Sequence, residues 1–87
     1  MPVLVRHRAE GLTPELYDQV GPPLVESVKR APGFVLHTSF TDAGGFCVAE
    51  VWKSLEHHDD WFNETVVPNV PFEIGVEVIE LHSLHTP

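Results

Sequence analysis

Four stretches of the chain carry β-branched or alternating apolar residues, a pattern typical of β-strands. They are residues 3–8, 34–40, 46–52 and 73–84. In two further stretches apolar residues recur every three or four positions, which predicts amphipathic helices. The first predicted helix begins at Thr13 and Pro14, a capping residue followed by one suited to the first turn, and runs to about Arg30. The second begins after Ser54 and ends before Pro68.

The first predicted helix contains the tripeptide Gly21-Pro22-Pro23. Proline has no amide donor, and its ring clashes with the preceding helical turn. We therefore expect a kink at this point, or two short helices in place of one.

The element order β-α-β-β-α-β predicts an α+β fold of the ferredoxin-like type, formed by residues 1–87 as a single domain. Four antiparallel strands would form one sheet, with two helices on one face. The opposite face would hold one of two apolar sets, depending on phase: Cys47, Ala49 and Val51, or Phe46, Val48 and Trp52. Because either set is too apolar to stay in water, we expect a homodimer that packs sheet against sheet.

The register of the central hairpin decides which side of the sheet His37 occupies, since a slip of one residue inverts every side chain. A four-residue loop, Asp42–Gly45, sets His37 opposite Glu50 and beside Trp52. A five-residue loop puts His37 on the Cys47 side, towards the expected partner. We favour the first register because four-residue hairpin loops are common.

The charge balance excludes some classes of partner. The 87 residues carry 5 Lys and Arg against 13 Asp and Glu, a formal net charge of −8. So few basic residues, without a cluster, do not fit a nucleic-acid backbone or an anionic membrane surface. The single cysteine rules out an internal disulfide, and the sequence shows neither a signal-peptide pattern nor a membrane-spanning stretch. We expect a cytoplasmic protein.

The candidate catalytic residues are His37, Glu50 and His58. In the favoured register His37 and Glu50 form a proton-transfer pair. His58 lies at helical spacing with Trp61 and could face the same region. Two alternatives stay open: Glu50 could be an exposed partner of an arginine in the first strand, and His58 could be an ordinary core residue.

Further residues are candidates for binding a small molecule. Trp52 shares a strand face with Glu50, and Tyr17 could extend its hydroxyl into the same cavity or simply belong to the core. No metal site and no cofactor are expected. The run His57 to Asp60 points its side chains to diverging helix faces, and His82 and His85 fall on opposite strand faces.

The segment Val51-Trp52-Lys53-Ser54, preceded by Pro32-Gly33-Phe34 and Gly44-Gly45, resembles the antibiotic biosynthesis monooxygenase-like group of the dimeric α/β-barrel superfamily. The resemblance implies an enclosed apolar pocket between sheet and helices in each protomer. Members of the group include cofactor-independent oxygenases of secondary metabolism that act on aromatic polyketide quinones, haem-degrading oxygenases, cyclases and isomerases.

The resemblance also places family site positions on this chain. Trp52 matches a tryptophan of the quinone-oxidising members, Val48 stands at their asparagine, and their tyrosine falls near His58. Trp61 matches the haem-degrading members, but Pro71 stands at their haem-ligand histidine. Val48 and Trp61 therefore join Trp52 and Tyr17 as predicted substrate contacts.

These observations predict a cofactor-independent enzyme that acts on a hydrophobic, aromatic small molecule. It would abstract a proton, after which oxygen reacts with the carbanion, as in a monooxygenase. The alternatives are a cyclase or isomerase of the same fold, in which the carbanion attacks internally, and a non-catalytic dimer that binds a small ligand.

Overall fold

The computed structural model describes residues 1–87, and its elements follow the predicted order. The strands are β1 (Val3–Arg8), β2 (Phe34–Asp42), β3 (Gly45–Trp52) and β4 (Gly75–Glu80). The helices are α1 (Pro14–Val28) and α2 (Leu55–Trp61), and a π-helical segment, Phe62–Val66, continues α2. The strands form one antiparallel sheet in the order β2-β3-β1-β4. The ferredoxin-like α+β prediction is confirmed.

β1 and β3 supply the inner face of the sheet, on which both helices pack. Val3 and Val5 of β1 form the core with Trp52 of β3 and Val28 of α1. The Trp52 ring is fully buried and lies 5.9 Å from the ring of Trp61, between ring centroids. Neither helix combines the length and the apolar character needed to cross a bilayer.

α1 is one helix, so the predicted division into two short helices was wrong. Thr13 caps it by accepting a hydrogen bond from the Leu16 amide at 3.1 Å, and the helix then continues through Pro22 and Pro23. The φ angle that proline imposes is itself helical, so the two residues cost hydrogen bonds without ending the helix. Gly21 has no Cβ, which relieves the clash that normally moves a residue before proline out of the helical region.

β4 is shorter than the predicted strand over residues 73–84, because its partner β1 is short. Gly75 pairs with Arg8, the last residue of β1, and Glu80 pairs with Val3, the first. One further hydrogen bond joins the Leu81 amide to the Pro2 carbonyl. Beyond these limits β4 has no strand to pair with.

The hairpin of β2 and β3 adopts the favoured register. Thr41 pairs with Phe46, and His37 pairs with Glu50. The Arg8 guanidinium reaches across from β1 and donates to the Asp42 carboxylate, at 2.8 and 2.9 Å. His37 therefore lies on the same face of the sheet as Glu50, towards the helices.

The opposite face of the sheet, which we call the outer face, is largely apolar. Its apolar residues come from all four strands: Leu4, Leu36, Phe40, Cys47, Ala49, Val51 and Ile79. The sequence left two alternatives for the third strand. The observed one places Cys47, Ala49 and Val51 on the outer face. Leu36 is 40% exposed and Phe40 37% exposed. Ion pairs between Arg6 and Glu77 and between Arg8 and Asp42 also lie on this face.

Gly33 joins α1 to β2 in a conformation that only glycine adopts easily. Its φ is +81°, and an added Cβ would lie 2.3 Å from Cγ of His57. Gly11 has a similar φ of +84° but nothing within 4 Å of an added Cβ. The left-handed conformation costs about 1–2 kcal/mol for other residues. We expect Gly33→Ala to lower the free energy of unfolding by about 3 kcal/mol and Gly11→Ala by about 1 kcal/mol.

Urea unfolding of both variants checks this prediction. Equal losses for Gly33→Ala and Gly11→Ala would show that His57 moves aside freely and that the packing of α2 on the α1–β2 connection is loose.

Candidate functional site

A cavity of about 610 Å³ lies between the inner face of the sheet, α1 and the chain that follows α2. Most of its lining is apolar. The sheet contributes the polar residues His7, His37 and Glu50 to its wall, and α1 contributes Tyr17. A mainly apolar cavity with a few convergent polar groups is the usual form of a small-molecule site.

A continuous chain of hydrogen bonds runs along this wall through Tyr17, His37, Glu50 and Trp52. The Tyr17 hydroxyl lies 2.6 Å from Nε2 of His37, and Nδ1 of His37 lies 2.8 Å from Oε2 of Glu50. The indole of Trp52 donates to Oε1 of Glu50 at 3.0 Å. We call Tyr17, His37 and Glu50 the relay.

The carboxylate of Glu50 fixes the tautomer of a neutral His37. An ionised carboxylate only accepts, so His37 donates from Nδ1 to Glu50. A neutral His37 then carries a lone pair on Nε2, and the Tyr17 hydroxyl donates to it. Every polar atom is satisfied when Glu50 is ionised and His37 is neutral.

Glu50 is ionised although its side chain is only 2% exposed. Burial alone would raise the pKa of Glu50, but hydrogen bonds from His37 and Trp52 and the nearby His7 outweigh burial and lower it. At the other end of the relay, burial raises the pKa of Tyr17, so its hydroxyl keeps the proton that it donates.

The structure brings most of the predicted residues around one cavity. His37, Glu50, Tyr17, Val48 and Trp61 all line it. The alternative of an exposed Glu50 paired with an arginine of the first strand is wrong. Both arginines of β1 have other partners, and Glu50 faces the core.

Two predicted residues do not reach the cavity wall. Trp52 is fully buried behind Glu50, so it holds the carboxylate rather than contacting a ligand. His58 is also buried, at 1% exposure, and lies behind His7. Ser54 caps α2 through the amide of His57, and this start of the helix turns the next residue, His58, inward.

His7 is a site residue that the sequence analysis missed. Its Nε2 lies 2.8 Å from Nε2 of His58, and its Nδ1 lies 3.1 Å from the Val48 carbonyl oxygen. Burial lowers the pKa of His7 more than the nearby Glu50 carboxylate raises it. The signal was present in β1, where Val3, Val5 and His7 alternate with solvent-facing positions and so share the inner face.

Three buried donors that could bind a metal meet behind the cavity. The ligand atoms of His7, Glu50 and His58 all lie within 4.8 Å of one another. No spacing along the chain indicates this cluster, because its members come from β1, β3 and α2.

The chain is similar to known proteins in its structure, whereas no match was found by sequence. No protein-family profile matches the chain, and no curated protein sequence matches it. Among solved structures, it is similar to SnoaB, a cofactor-independent oxygenase from Streptomyces nogalater. The TM-score is 0.68 at 16% identity, over 95% of this chain and 94% of that one.

Two further neighbours cover almost the whole chain. The heme-degrading protein Rv3592 from Mycobacterium tuberculosis matches with a TM-score of 0.69 at 22% identity, over 99% of this chain and 100% of that one. A monooxygenase from the gene ActVA-Orf6 of Streptomyces coelicolor, in complex with the ligand Nanaomycin D, matches with a TM-score of 0.63 at 14% identity. That match covers 99% of this chain and 91% of the other. These neighbours are antibiotic biosynthesis monooxygenase-like proteins, so the resemblance seen in the sequence is confirmed as a likeness of fold.

The cavity does not fit haem held by an axial histidine. Pro71, which lines the cavity, has no donor. Of the two histidines on the wall, His37 has both ring nitrogens in contact with Tyr17 and Glu50. Nε2 of His7 is directed at the buried His58 and Nδ1 at the Val48 carbonyl, so neither nitrogen of His7 faces a haem in the cavity.

The buried acceptor at Glu50 is expected to contribute strongly to stability. Glu50→Leu leaves the buried indole N–H of Trp52 without an acceptor, which costs about 1–3 kcal/mol. The matched control is Glu26→Leu in α1, where the glutamate forms an exposed ion pair with Lys29. Such pairs contribute about 0–1 kcal/mol. Urea unfolding should show the larger loss for Glu50→Leu, whereas similar losses would mean that Trp52 finds another acceptor.

Proposed function

We propose that this protein is a cofactor-independent enzyme that removes a proton from a hydrophobic, aromatic small molecule and directs the resulting carbanion to react with oxygen. One observation carries the proposal: the relay of Tyr17, His37 and Glu50 lies in the wall of a mainly apolar cavity. The cavity supplies binding, a bound substrate displaces water from its apolar lining, and the relay supplies a base.

Nε2 of His37 is the proton acceptor of the relay. It faces the cavity side, where the Tyr17 hydroxyl now occupies it. A substrate phenol or acidic methylene that reaches this position gives its proton to Nε2, directly or through the Tyr17 oxygen. Glu50 then stabilises the imidazolium that forms, as the carboxylate of a catalytic triad does. The hydrogen bond from Trp52 holds the carboxylate of Glu50 in position before the reaction begins, so the carboxylate does not have to reorganise.

The apolar cavity suits the oxygen step. A carbanion spread over aromatic rings and a carbonyl group can transfer electrons to O₂ without a metal or flavin. At a methylene carbon, one oxygen atom becomes the new carbonyl oxygen. The other leaves as water with the two methylene hydrogens, so CH₂ and O₂ give C=O and H₂O. Water exclusion by the cavity protects the carbanion from being reprotonated.

The structural neighbours support this reaction class. One is described as a cofactor-independent oxygenase, and another is a monooxygenase in complex with the ligand Nanaomycin D. A cyclase or isomerase would use the same base, with internal attack in place of oxygen. A ligand-binding dimer without catalysis would use the cavity alone.

Replacing the relay residues should stop turnover without closing the cavity. Anthrone is a suitable probe because it is tricyclic, apolar and has an acidic methylene. We expect His37→Ala to lower the enzyme-dependent rate of oxygen consumption by about 10²–10⁴-fold, the usual contribution of a general base. Glu50→Gln should cause a similar loss, because the amide can donate to Nδ1 of His37 and so place the ring proton on Nε2. An oxygen electrode and quinone absorbance measure both effects.

The matched control is His85→Ala, which removes an exposed histidine of the C-terminal segment and should leave turnover unchanged. Treatment with a chelator should also leave it unchanged. Binding of anthrone, followed by tryptophan fluorescence, without any enzyme-dependent oxygen uptake would contradict the oxygenase proposal. Anaerobic conversion of a β-dicarbonyl probe would instead favour the isomerase.

The outer face supports the expected homodimer, which would bury its apolar residues against the same face of a second copy. Leu36 and Phe40 are the most exposed large residues there, at 40% and 37%. The ion pairs Arg6–Glu77 and Arg8–Asp42 would flank such a contact. A two-fold interface is self-complementary, so one substitution acts twice in it.

Charged substitutions on the outer face should therefore yield a monomer. We expect the double variant Leu36→Asp, Phe40→Asp to sediment at half the mass of the wild type at micromolar concentration. Val67→Asp is the matched control, since Val67 is 56% exposed and lies outside the sheet. A monomeric wild type, or a dimer that survives the double substitution, would refute this interface.

A further inference from the structure

The contacts of His7 and His58 need more protons than two neutral imidazoles carry. Nδ1 of His7 contacts the Val48 carbonyl oxygen, and Nδ1 of His58 contacts the Asp59 carboxylate at 2.9 Å. Both partners only accept, so both Nδ1 atoms must carry the ring proton. The two Nε2 atoms, 2.8 Å apart, are then two lone pairs that face each other. A positive charge must lie between them: a third proton or a metal cation.

We propose that His7, His58 and Glu50 bind one divalent transition cation of the zinc type. The three residues are buried, and their ligand atoms converge within 4.8 Å. Two histidines and a carboxylate are a recurrent ligand set for Zn²⁺ and neighbouring metals, whereas Mg²⁺ and Ca²⁺ prefer oxygen donors.

The hydrogen bonds behind each histidine match those of known metal sites. A metal-bound histidine almost always donates its other ring N–H to a carbonyl or carboxylate, which fixes the tautomer and orients the ring. His7 does this with Val48 and His58 does it with Asp59. The relay histidine, His37, differs from these two because a neutral ring satisfies both of its contacts, so it needs no added cation.

Small movements would complete the coordination. With Zn–N distances of about 2.0–2.1 Å and tetrahedral angles, the two Nε2 atoms would lie roughly 3.3 Å apart, so they need to separate by about 0.5 Å. The rings now meet head to head, with centroids 5.1 Å apart, so each ring must also turn to direct its lone pair at the metal. Glu50 would approach by rotating its side chain and would supply a negative charge. Because His7 and Glu50 also line the cavity, the fourth position is left open to water or a ligand.

The cation site shares Glu50 with the relay, so a bound cation would draw that carboxylate away from His37. The relay is complete without a cation, and turnover is therefore measured on the chelator-treated protein, which separates the two claims. Failure to turn over anthrone would leave cation binding intact, and failure to bind a cation would leave the relay intact.

Cobalt and zinc titrations of the chelator-treated protein test the site. We expect one Zn²⁺ per chain by calorimetry, and visible absorption bands with Co²⁺ whose intensity indicates four or five ligands. His58→Ala should weaken Zn²⁺ binding at least about 100-fold. Asp59→Ala removes the acceptor behind Nδ1 of His58 from an exposed position and leaves both imidazoles in place, so it tests the site without risk to the core. It should weaken binding by about 10–100-fold.

The control variant removes the three histidines that belong neither to the cluster nor to the relay: His57→Ala, His82→Ala and His85→Ala together. It should bind Zn²⁺ as the wild type does. Loss of binding in this variant would show that surface histidines hold the metal, and would overturn the proposal. No binding by the wild type at 100-fold excess of Zn²⁺, or equal binding by wild type and Asp59→Ala, would also overturn it.

Discussion

The buried carboxylate of Glu50 is the constraint on which the candidate site depends. An ionised group inside the sheet–helix interface is costly unless its oxygens accept hydrogen bonds, so each neighbour of Glu50 has a defined donor. Trp52 holds one oxygen from the core, and His37 holds the other from the adjacent strand. The charge fixes the tautomer of His37, and that tautomer in turn orients the hydroxyl of Tyr17. A single buried charge thereby sets the proton positions of the whole relay.

The same wall contains two histidine systems with different electrostatic character. On one side of Glu50, a neutral His37 and a neutral Tyr17 carry enough protons to satisfy every hydrogen bond of the relay. On the other side, His7 and His58 face each other with one positive charge missing. Both systems use the negative charge of Glu50. That shared charge is why a fold this small can hold four further buried or half-buried polar side chains beside an apolar cavity: Tyr17, His37, His7 and His58.

The sequence predicted the fold and half of the site, for identifiable reasons. Strand alternation and helical spacing are local signals, and they located all six elements. The hairpin register followed from loop length, so the pairing of His37 with Glu50 could be foreseen. The role of Trp52 could not, because a shared strand face does not tell whether an indole meets the cavity or the core. His7 became significant only when α2 brought His58 against it, a tertiary contact with no local signature.

The state of the His37 ring tests the central claim most directly. Nitrogen-15 NMR of the wild-type protein at neutral pH distinguishes a protonated ring nitrogen from one with a lone pair. The account predicts a neutral His37 that carries its proton on Nδ1 and accepts a hydrogen bond at Nε2. A His37 ring with its proton on Nε2 alone would contradict it, because Glu50 would then not be the carboxylate that activates the site.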